Sequence, residues 1–402
     1  MRIAIVSEQA TPMSSSDQVP AGGPAWHAAE LTGALARAGH DVRLYARQDA
    51  PGQPAATSLA PGATLYHVPA GPAAPASEDA LLRHTRRFGD RLAADWTGEQ
   101  GDGWRPDLVH AHYWLSGLAA LVAGRAVQVP IVLTYQELGS RRRRFLGDAD
   151  TSPSGRVGFE RELGRSVDRV ITHCRAETSE LIRLGVPRRQ IAVVPLGVDP
   201  DRFAPTGSLA PRHPKPSRIV MVGATGELRE RKGYADAIRA LRLVPGAELV
   251  VVGGPAKRDL RRDPEARQLR VLAQRCGVAD RVRLVGRVPR DEIPQWYGKA
   301  DLVTSASWYD SFGITAVEGM AAGVPVVATE VGGFPDTVVD GLTGRLVPPH
   351  QPAALGHAMR SVLNDPIRRV EYAAAGLDRV RQCYSWDRVA GRVLAEYQQL
   401  CR

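Results

Sequence analysis

Cysteine is scarce in this sequence, and no pattern gives the few cysteines a metal or disulfide role. The four are Cys174, Cys276, Cys383 and Cys401, with no CxxC spacing and no cluster of histidines beside them. A zinc site is therefore not expected. We expect a reduced, cytoplasmic protein and not a secreted one held together by disulfides.

Long apolar runs are also missing. The longest lies around Leu118–Gly124, far short of the roughly 20 residues needed to span a bilayer. The opening MRIAIVSEQA is too short for the apolar region of a signal peptide, so we predict that it is a first β-strand. Stable membrane insertion is not expected.

Lysine is rare too. Arginine supplies almost all of the positive charge, and the net charge is +9. Such a balance fits nucleic acid, an anionic membrane or a small anionic substrate. The densest basic run, Arg141–Arg144, has no aromatic neighbours spaced for base stacking. We predict that it is a solvated loop, or alternatively the wall of an anion site or a membrane-facing patch, and we expect no nucleic acid partner.

Short apolar, β-branched runs alternate with helical patterns along the whole chain. This alternation predicts an α/β protein of two doubly wound domains. A proline-rich stretch marks the boundary, and Asp49–Pro61 is predicted as a surface loop. The predicted parts are an N-terminal domain (1–200), a linker (201–217), a C-terminal domain (218–384) and a last helix (385–402) that packs back on the first domain.

Two glycine-containing loops precede predicted helices and suit anion binding. Gly22 and Gly23 stand directly before a helix, although the dinucleotide fingerprint GxGxxG is absent. A second loop, after the first strand of the second domain, ends in Arg229, Arg231 and Lys232. Cations disfavour a helix N-terminus, so this loop favours a phosphate or diphosphate ligand, with a solvated basic helix start as the alternative.

The stretch SWYDSFGITAVEGMAAGVPVVAT has acids at both ends of an apolar turn. Asp310 and Glu318 flank the turn, and the backbone N–H groups near Gly313–Thr315 begin a predicted helix. Carboxylates accept hydrogen bonds from sugar hydroxyls, and helix N–H groups bind anions. The stretch therefore predicts a site for a phosphorylated sugar.

These motifs resemble those of the retaining glycosyltransferases of family 4, which have the GT-B fold. The acid-x7-Glu signature corresponds to Asp310–Glu318 followed by GMAAGVPVVAT. The resemblance extends to HAHYWLSG, VVPLGVD, RKG, DGLTGRLVPP and YSWDRVA, and so covers essentially the whole chain. HAHYWLSG is most similar to the branch of sucrose-phosphate synthases and mycothiol-pathway transferases.

The resemblance implies two Rossmann-like domains facing across a cleft, with donor contacts in the second. Glu318 would bind the ribose and Asp310 the donor sugar, while Lys232, with Arg229 or Arg231, would neutralise the diphosphate. The backbone at Arg287 and Val288 would meet the base, and Gly22 and Gly23 would face the diphosphate. Further implied contacts to diphosphate and sugar come from the backbone of Phe312, Gly313, Ile314 and Thr315.

The implied reaction is metal-independent transfer of a hexose, with retention, from a nucleotide-diphosphate sugar. A UDP-sugar is the expected donor, with no cofactor, and the family's usual proposal is front-face attack. Fixed cations and N–H groups would stabilise the leaving diphosphate, so neither acid would act as a nucleophile.

The acceptor is expected near His112, with Tyr113, Gln136 and Glu137 as contacts. Gln136 stands where the branch has a His that is thought to touch the donor sugar, so this departure bears on the identity of the sugar. Glu137 stands where the inositol-phosphate enzymes have a Thr, and this departure bears on the acceptor. A carboxylate repels phosphate and attracts ammonium, so an aminocyclitol of an antibiotic pathway is one expected acceptor. The alternative is that Glu137 only pairs with one of Arg141–Arg144, and the acceptor is inositol phosphate or another sugar or lipid.

Other departures concern the donor pocket, where Asp310 is shorter than the usual Glu and the arginine that meets the diphosphate is ambiguous.

Two rival functions stay open: a GT-B nucleotide-sugar epimerase, which would need no acceptor, and a non-enzymatic nucleotide or nucleic acid binder. A homodimer is one expected assembly.

Overall fold

The computed structural model describes residues 1–8, 23–99, 102–205, 216–225, 228 and 230–401. The chain forms two compact units, and the first is discontinuous in sequence. Unit 1 contains Met1–Gly197 and Trp386–Arg402, and unit 2 contains Val198–Ser385. The C-terminal residues therefore complete the unit that the N-terminal residues begin.

Unit 1 is built on a sheet of eight strands in the order β3-β4-β2-β1-β5-β6-β7-β8. All neighbours are parallel except the edge pair β3–β4. The strands are β1 (Arg2–Val6), β2 (Asp41–Arg47), β3 (Ala56–Ala60), β4 (Ala63–Val68), β5 (Leu108–His112), β6 (Ile131–Thr134), β7 (Arg169–Thr172) and β8 (Ile191–Val193).

Helices cover this sheet, and the last helix of the chain is one of them. They are α1 (Gly23–Arg37), α2 (Glu78–Trp96), α3 (Trp114–Val127), α4 (Gly139–Leu146), α5 (Arg156–Ser166), α6 (Arg175–Arg183) and α14 (Trp386–Leu400). Helix α2 begins where the Ser77 hydroxyl accepts a hydrogen bond from Ala80 N–H, with Glu78 and Asp79 in its first turn. The Tyr397 hydroxyl of α14 lies 2.6 Å from Nδ1 of His110 on β5, which fixes α14 to the sheet.

Unit 2 has six strands, all parallel, in the order β11-β10-β9-β12-β13-β14. They are β9 (Ser217–Thr225), β10 (Ala247–Gly254), β11 (Val282–Gly286), β12 (Leu302–Ser305), β13 (Val326–Thr329) and β14 (Gly344–Val347). The helices are α7 (Tyr234–Leu241), α8 (Pro264–Arg275), α9 (Ile293–Gly298), α10 (Ile314–Ala321), α11 (Phe334–Thr337), α12 (Pro352–Leu363) and α13 (Pro366–Cys383).

Burial on both faces of each sheet explains why most strand residues are apolar. A parallel sheet is covered on both faces, and every residue of β5, β6, β12 and β13 is buried. Caps set where the helices of unit 2 begin: Asp263 accepts from Ala266 N–H before α8, and Asp365 from Arg368 N–H before α13. In the described part of the chain, no helix combines the length and the apolar composition needed to cross a bilayer.

Three local predictions differ from the structure. The predicted loop Asp49–Pro61 contains edge strand β3, whose antiparallel pairing with β4 compensates for its small side chains. The predicted solvated loop Arg141–Arg144 lies in helix α4, since arginine is a good helix former. Within the predicted linker 201–217, Phe203 is buried in the core of unit 2, while residues 206–215 lie outside the described ones.

Candidate functional site

The predicted site residues follow neighbouring strands in each unit. In unit 1, His112 ends β5 and Gln136 follows β6, and these two strands pair in parallel. In unit 2, the loops that carry Lys232 and Asp310 follow β9 and β12, which also pair in parallel. Parallel strands bring their carboxyl ends to one edge of a sheet, where ligands of α/β proteins bind.

The centre of the unit 2 site is an ion pair between residues far apart in sequence. The Lys232 ammonium lies 2.6 Å from Oδ2 of Asp310, and both side chains are largely buried. The two loops are also joined through their backbones, because Trp308 N–H donates to the Arg231 carbonyl at 2.8 Å. The structure therefore holds the predicted cation against the first acid of the signature.

The other oxygen of Asp310 binds the turn that follows. Its Oδ1 accepts from the N–H groups of Phe312 at 3.1 Å and Gly313 at 2.8 Å. Gly313 has a φ of 69° and precedes α10, so the chain turns there at little steric cost. Asp310 thus pairs with Lys232 and also stabilises the turn before α10.

Burial alone would raise the pKa of Asp310, but the Lys232 charge and the N–H groups of Gly313 and Phe312 more than offset it, so the pKa lies below its ordinary value. Asp310 is therefore ionised at neutral pH. Its negative charge keeps Lys232 fixed at the N-terminus of α10.

The first turn of α10 contains further hydrogen-bond donors that Asp310 does not bind. Helix geometry leaves the N–H groups of Ile314 and Thr315 without a carbonyl partner inside the helix. The Thr315 hydroxyl is buried and, among the described residues, has no hydrogen-bond partner. Together with Lys232, this turn has the polarity that an anion requires.

Glu318 lies in the body of α10 and is held by two residues that sequence reasoning missed. One carboxylate oxygen pairs with the Arg290 guanidinium, and the other accepts from the Tyr297 hydroxyl at 2.9 Å. Burial, and then the Glu318 charge, raise the pKa of Tyr297 well above its ordinary value, so the hydroxyl stays a donor. A carboxylate has about four acceptor positions, and these two residues occupy two of them.

The other residues predicted to contact the nucleotide sugar have different surroundings in the structure. Arg231 lies over the Tyr309 ring and donates to the Tyr309 carbonyl at 3.3 Å. The Arg287 N–H is engaged with the Pro255 carbonyl at 2.8 Å, and Val288 is buried in the core. Arg229 and Gly22 lie outside the described residues, and Gly23 is the first residue of α1.

In unit 1, Tyr113 and Glu137 belong to one ion-pair cluster with Glu78, which was not predicted. The Tyr113 hydroxyl donates to Glu78 at 2.6 Å, and Glu137 pairs with Arg142 at 3.4 Å. Arg156, fully buried, lies over the Tyr113 ring and donates to the Glu137 carbonyl. Nothing in the local sequence around Glu78 distinguishes it from an ordinary helix-start acid.

His112 and Gln136 are in direct contact, with 3.0 Å between Gln136 Nε2 and His112 Nδ1. Both are buried. Burial, with a smaller effect of the His173 charge, lowers the pKa of His112 to about 3. His112 is thus neutral at physiological pH and can act only through hydrogen bonds there.

Two family models match the chain, one for each unit. "Glycosyl transferase 4-like domain" matches residues 22–197, and "Glycosyl transferases group 1" matches residues 209–379. The described residues contain no group of three or more His, Cys, Asp or Glu placed to hold a metal ion.

Full-length relatives agree with the family models. The chain is 34% identical to a D-inositol 3-phosphate glycosyltransferase of Xylanimonas cellulosilytica, over 99% of this chain and 96% of that protein. Among solved structures, the sucrose-phosphate synthase of Thermosynechococcus elongatus matches with a TM-score of 0.82 and 28% identity, over 99% and 98% of the two chains.

A more distant solved structure shares the fold. Anabaena HepE, in complex with UDP and glucose, matches with a TM-score of 0.73 and 18% identity, over 99% of each chain. Because the two family models cover most of the chain and the 34% identical relative is matched over 96% of its length, the chain belongs to the group 1 glycosyltransferases, enzymes of the GT-B fold with two Rossmann-like domains.

Proposed function

We propose that the enzyme transfers a hexose, with retention and without a metal, from a UDP-sugar to a hydroxyl of a small polar acceptor. The observation that carries this proposal is the Lys232–Asp310 pair at the N-terminus of α10. UDP as the nucleotide is supported by the solved structure of HepE, which binds UDP and glucose. Cytoplasmic location fits a soluble donor of this kind.

In the proposed step the bond between the anomeric carbon and the diphosphate oxygen breaks. The acceptor oxygen forms the new bond on the same face, and its proton passes to a diphosphate oxygen. Negative charge grows on the leaving diphosphate, where Lys232 and the first N–H groups of α10 stabilise it. Glu318 would accept hydrogen bonds from the ribose hydroxyls.

Metal independence is directly testable. Lys232 and the α10 amides supply the charge stabilisation that a divalent cation provides in other transferases. We therefore expect the rate of transfer to change by less than about twofold in excess EDTA. A loss of activity that magnesium or manganese restores would refute this mechanism.

For the acceptor we propose an amine-bearing cyclitol, because the cluster around Tyr113 has an excess of negative charge. Arg142 contacts Glu78, Glu137 and Asp150, while Arg156 contacts Glu78 and Glu160. Two guanidinium groups therefore face the carboxylates of Glu78, Glu137 and Asp150, and that of Glu160, whose pKa burial raises to about 7 so that it is only partly ionised at neutral pH. An ammonium group would reduce this imbalance, whereas a phosphate would have to compete with carboxylates that already bind both arginines.

Inositol phosphate remains the second candidate, since the relatives are named for it and Arg142 could release Glu137 to bind a phosphate. The charge of Glu137 distinguishes the two acceptors. With a diaminocyclitol as acceptor, Glu137→Gln should raise KM about fivefold to tenfold, the effect of roughly 1 kcal/mol from one partly screened charge. The KM for the UDP-sugar should not change.

The matched control is Glu162→Gln, which neutralises an exposed glutamate of the same unit. If the enzyme glycosylates inositol phosphate efficiently and ignores diaminocyclitols, the amine hypothesis is wrong. An equal effect of the two variants would assign Glu137 to the ion pair with Arg142 alone. An epimerase would turn over the UDP-sugar without any acceptor.

A further inference from the structure

The turn that carries Lys232 is held at both ends by one residue, Trp308. The backbone N–H of Trp308 donates to the Arg231 carbonyl at 2.8 Å, and its indole N–H donates to Oδ2 of Asp236 at 2.8 Å. Arg231 precedes Lys232, and Asp236 lies in the first turn of α7. A single residue of the segment between β12 and α10 therefore binds the chain on both sides of Lys232.

The backbone of this turn also lies directly against the same segment. Gly233 has a φ of 72°, and a Cβ at this position would lie 1.9 Å from the Ala306 carbonyl oxygen. Further along the segment, Asp310 pairs with Lys232 at 2.6 Å. The turn thus contacts the segment through its backbone, through Trp308 and through the ion pair, and the bond to Asp236 is the contact that reaches into α7.

Asp236 differs from an ordinary acid in the first turn of a helix. Such an acid needs no partner, because the helix dipole alone favours it. The Asp236 side chain is only 9% exposed, and both of its oxygens are engaged. Oδ1 accepts from Arg239 at 3.0 Å, and Oδ2 accepts from the Trp308 indole. A carboxylate is a stronger acceptor for the indole N–H than a neutral group would be.

The Trp308 indole has a second contact, with the ring of His350. The two ring centroids are 4.5 Å apart. His350 has a φ of 58° and stands just before Gln351, the N-cap of α12. Residues other than glycine rarely adopt such an angle, and where they do the strain is often part of a functional site. Packing from α12 and a hydrogen bond from α7 therefore hold the same indole.

We propose that Trp308 and Asp236 are positioning residues for Lys232, because together they fix the turn from which its ammonium reaches the leaving diphosphate. Lysine has a flexible four-carbon side chain, so the placement of its ammonium depends on the placement of its backbone. A misplacement of about 1 Å can lower a rate by roughly a hundredfold. The inference deepens the proposed function and rests on it for the diphosphate.

The hydrogen bond is measured without any substrate. In ¹H–¹⁵N spectra of the full chain, the indole signal that disappears in Trp308→Phe belongs to Trp308. Its exchange with solvent should be slow in the unmodified protein and at least about tenfold faster in Asp236→Ala, which removes the acceptor. Exchange as fast as that of a free indole in the unmodified protein would overturn the proposal.

The effect on transfer is measured by steady-state kinetics with the UDP-sugar. Trp308→Phe and Asp236→Ala should each lower kcat about tenfold and change KM less than about twofold, because the lost interaction acts on the charge of the transition state. Asp236→Asn keeps an acceptor oxygen and should be at least about threefold more active than Asp236→Ala.

The matched control is Arg239→Gln, which removes the other partner of Asp236 and leaves the indole bond in place. Arg239 is half exposed, so we expect kcat to change less than about twofold. A tenfold loss in this control would assign the effect to the ion pair within α7 and would overturn the role of Trp308.

A double-mutant cycle with Lys232 separates positioning from packing. In the Lys232→Ala background, Trp308→Phe should lower kcat/KM by less than about twofold further, because the group that it positions is already absent. The same tenfold loss in both backgrounds would show a general effect on folding or packing and would overturn the proposal. If the unmodified enzyme transfers sugar from no nucleotide sugar, the proposed function fails, whereas the exchange result for the indole is unaffected.

Discussion

Replacing Lys232 with alanine is expected to reduce kcat/KM for sugar transfer by at least about a hundredfold, the effect of removing one group that stabilises developing charge. The ammonium lies 2.6 Å from Asp310 at the N-terminus of α10, where the leaving diphosphate is proposed to bind. Without it, the α10 amides alone face that charge. Release of UDP from the UDP-sugar in the presence of acceptor is the measurement.

Glu318→Ala should have an effect of similar size for a different reason. It removes the proposed acceptor of the ribose hydroxyls, and it also removes the carboxylate that the Arg290 guanidinium and the buried Tyr297 hydroxyl share. The matched controls are Lys299→Ala and Glu330→Ala, which remove exposed charges from the same unit. Near-normal turnover in Lys232→Ala or in Glu318→Ala, with unchanged thermal unfolding, would refute the site assignment.

Gly332→Ala is expected to destabilise unit 2 by at least about 3 kcal/mol, combining a left-handed backbone with overpacking. Gly332 has a φ of 55°, and an added Cβ would lie 1.5 Å from the Asp310 carbonyl oxygen. Accommodating the methyl group moves the turn that holds Asp310 and Lys232. Transfer should therefore fall together with stability, as measured by urea unfolding and by kcat/KM.

Gly341→Ala is the matched control because it has the same backbone problem without the crowding. Its φ is 78°, and an added Cβ would meet nothing within 4 Å. We expect a loss of about 1 kcal/mol and normal transfer. Equal destabilisation by the two variants would show that the contact with Asp310 is not what requires glycine at position 332.

The sequence predicted the elements of the fold well wherever burial set the pattern. Leu302–Ser305, in one of the short runs from which strands were predicted, is a fully buried strand in the structure, because a parallel sheet is covered on both faces. Strands β3, β4 and β14 were missed. The Ala and Ser residues of β3 have little strand propensity, and its pairing with β4 defines it. Helix α4 was missed because its run of arginines has no apolar stripe.

Within the site, local spacing placed Asp310 and Glu318, but long-range partners could not be read from it. Lys232 and Asp310 are separated by 78 positions, and no local pattern indicates that they meet. Glu318 has a signature, whereas Arg290 and Tyr297, which hold it, have none. The Gln136 contact with His27 spans 109 positions, so no local pattern indicates it.

The division of the chain has a consequence for synthesis on the ribosome. Unit 2 is contiguous, so its six-stranded sheet can close as soon as residue 385 has left the exit tunnel. Unit 1 must wait for α14, whose Trp386 packs so closely that a Cβ on Gly197 would lie 2.4 Å from the indole. The face of the first sheet where Tyr397 of α14 contacts His110 therefore stays incomplete until after the second unit can fold, although that sheet is translated first.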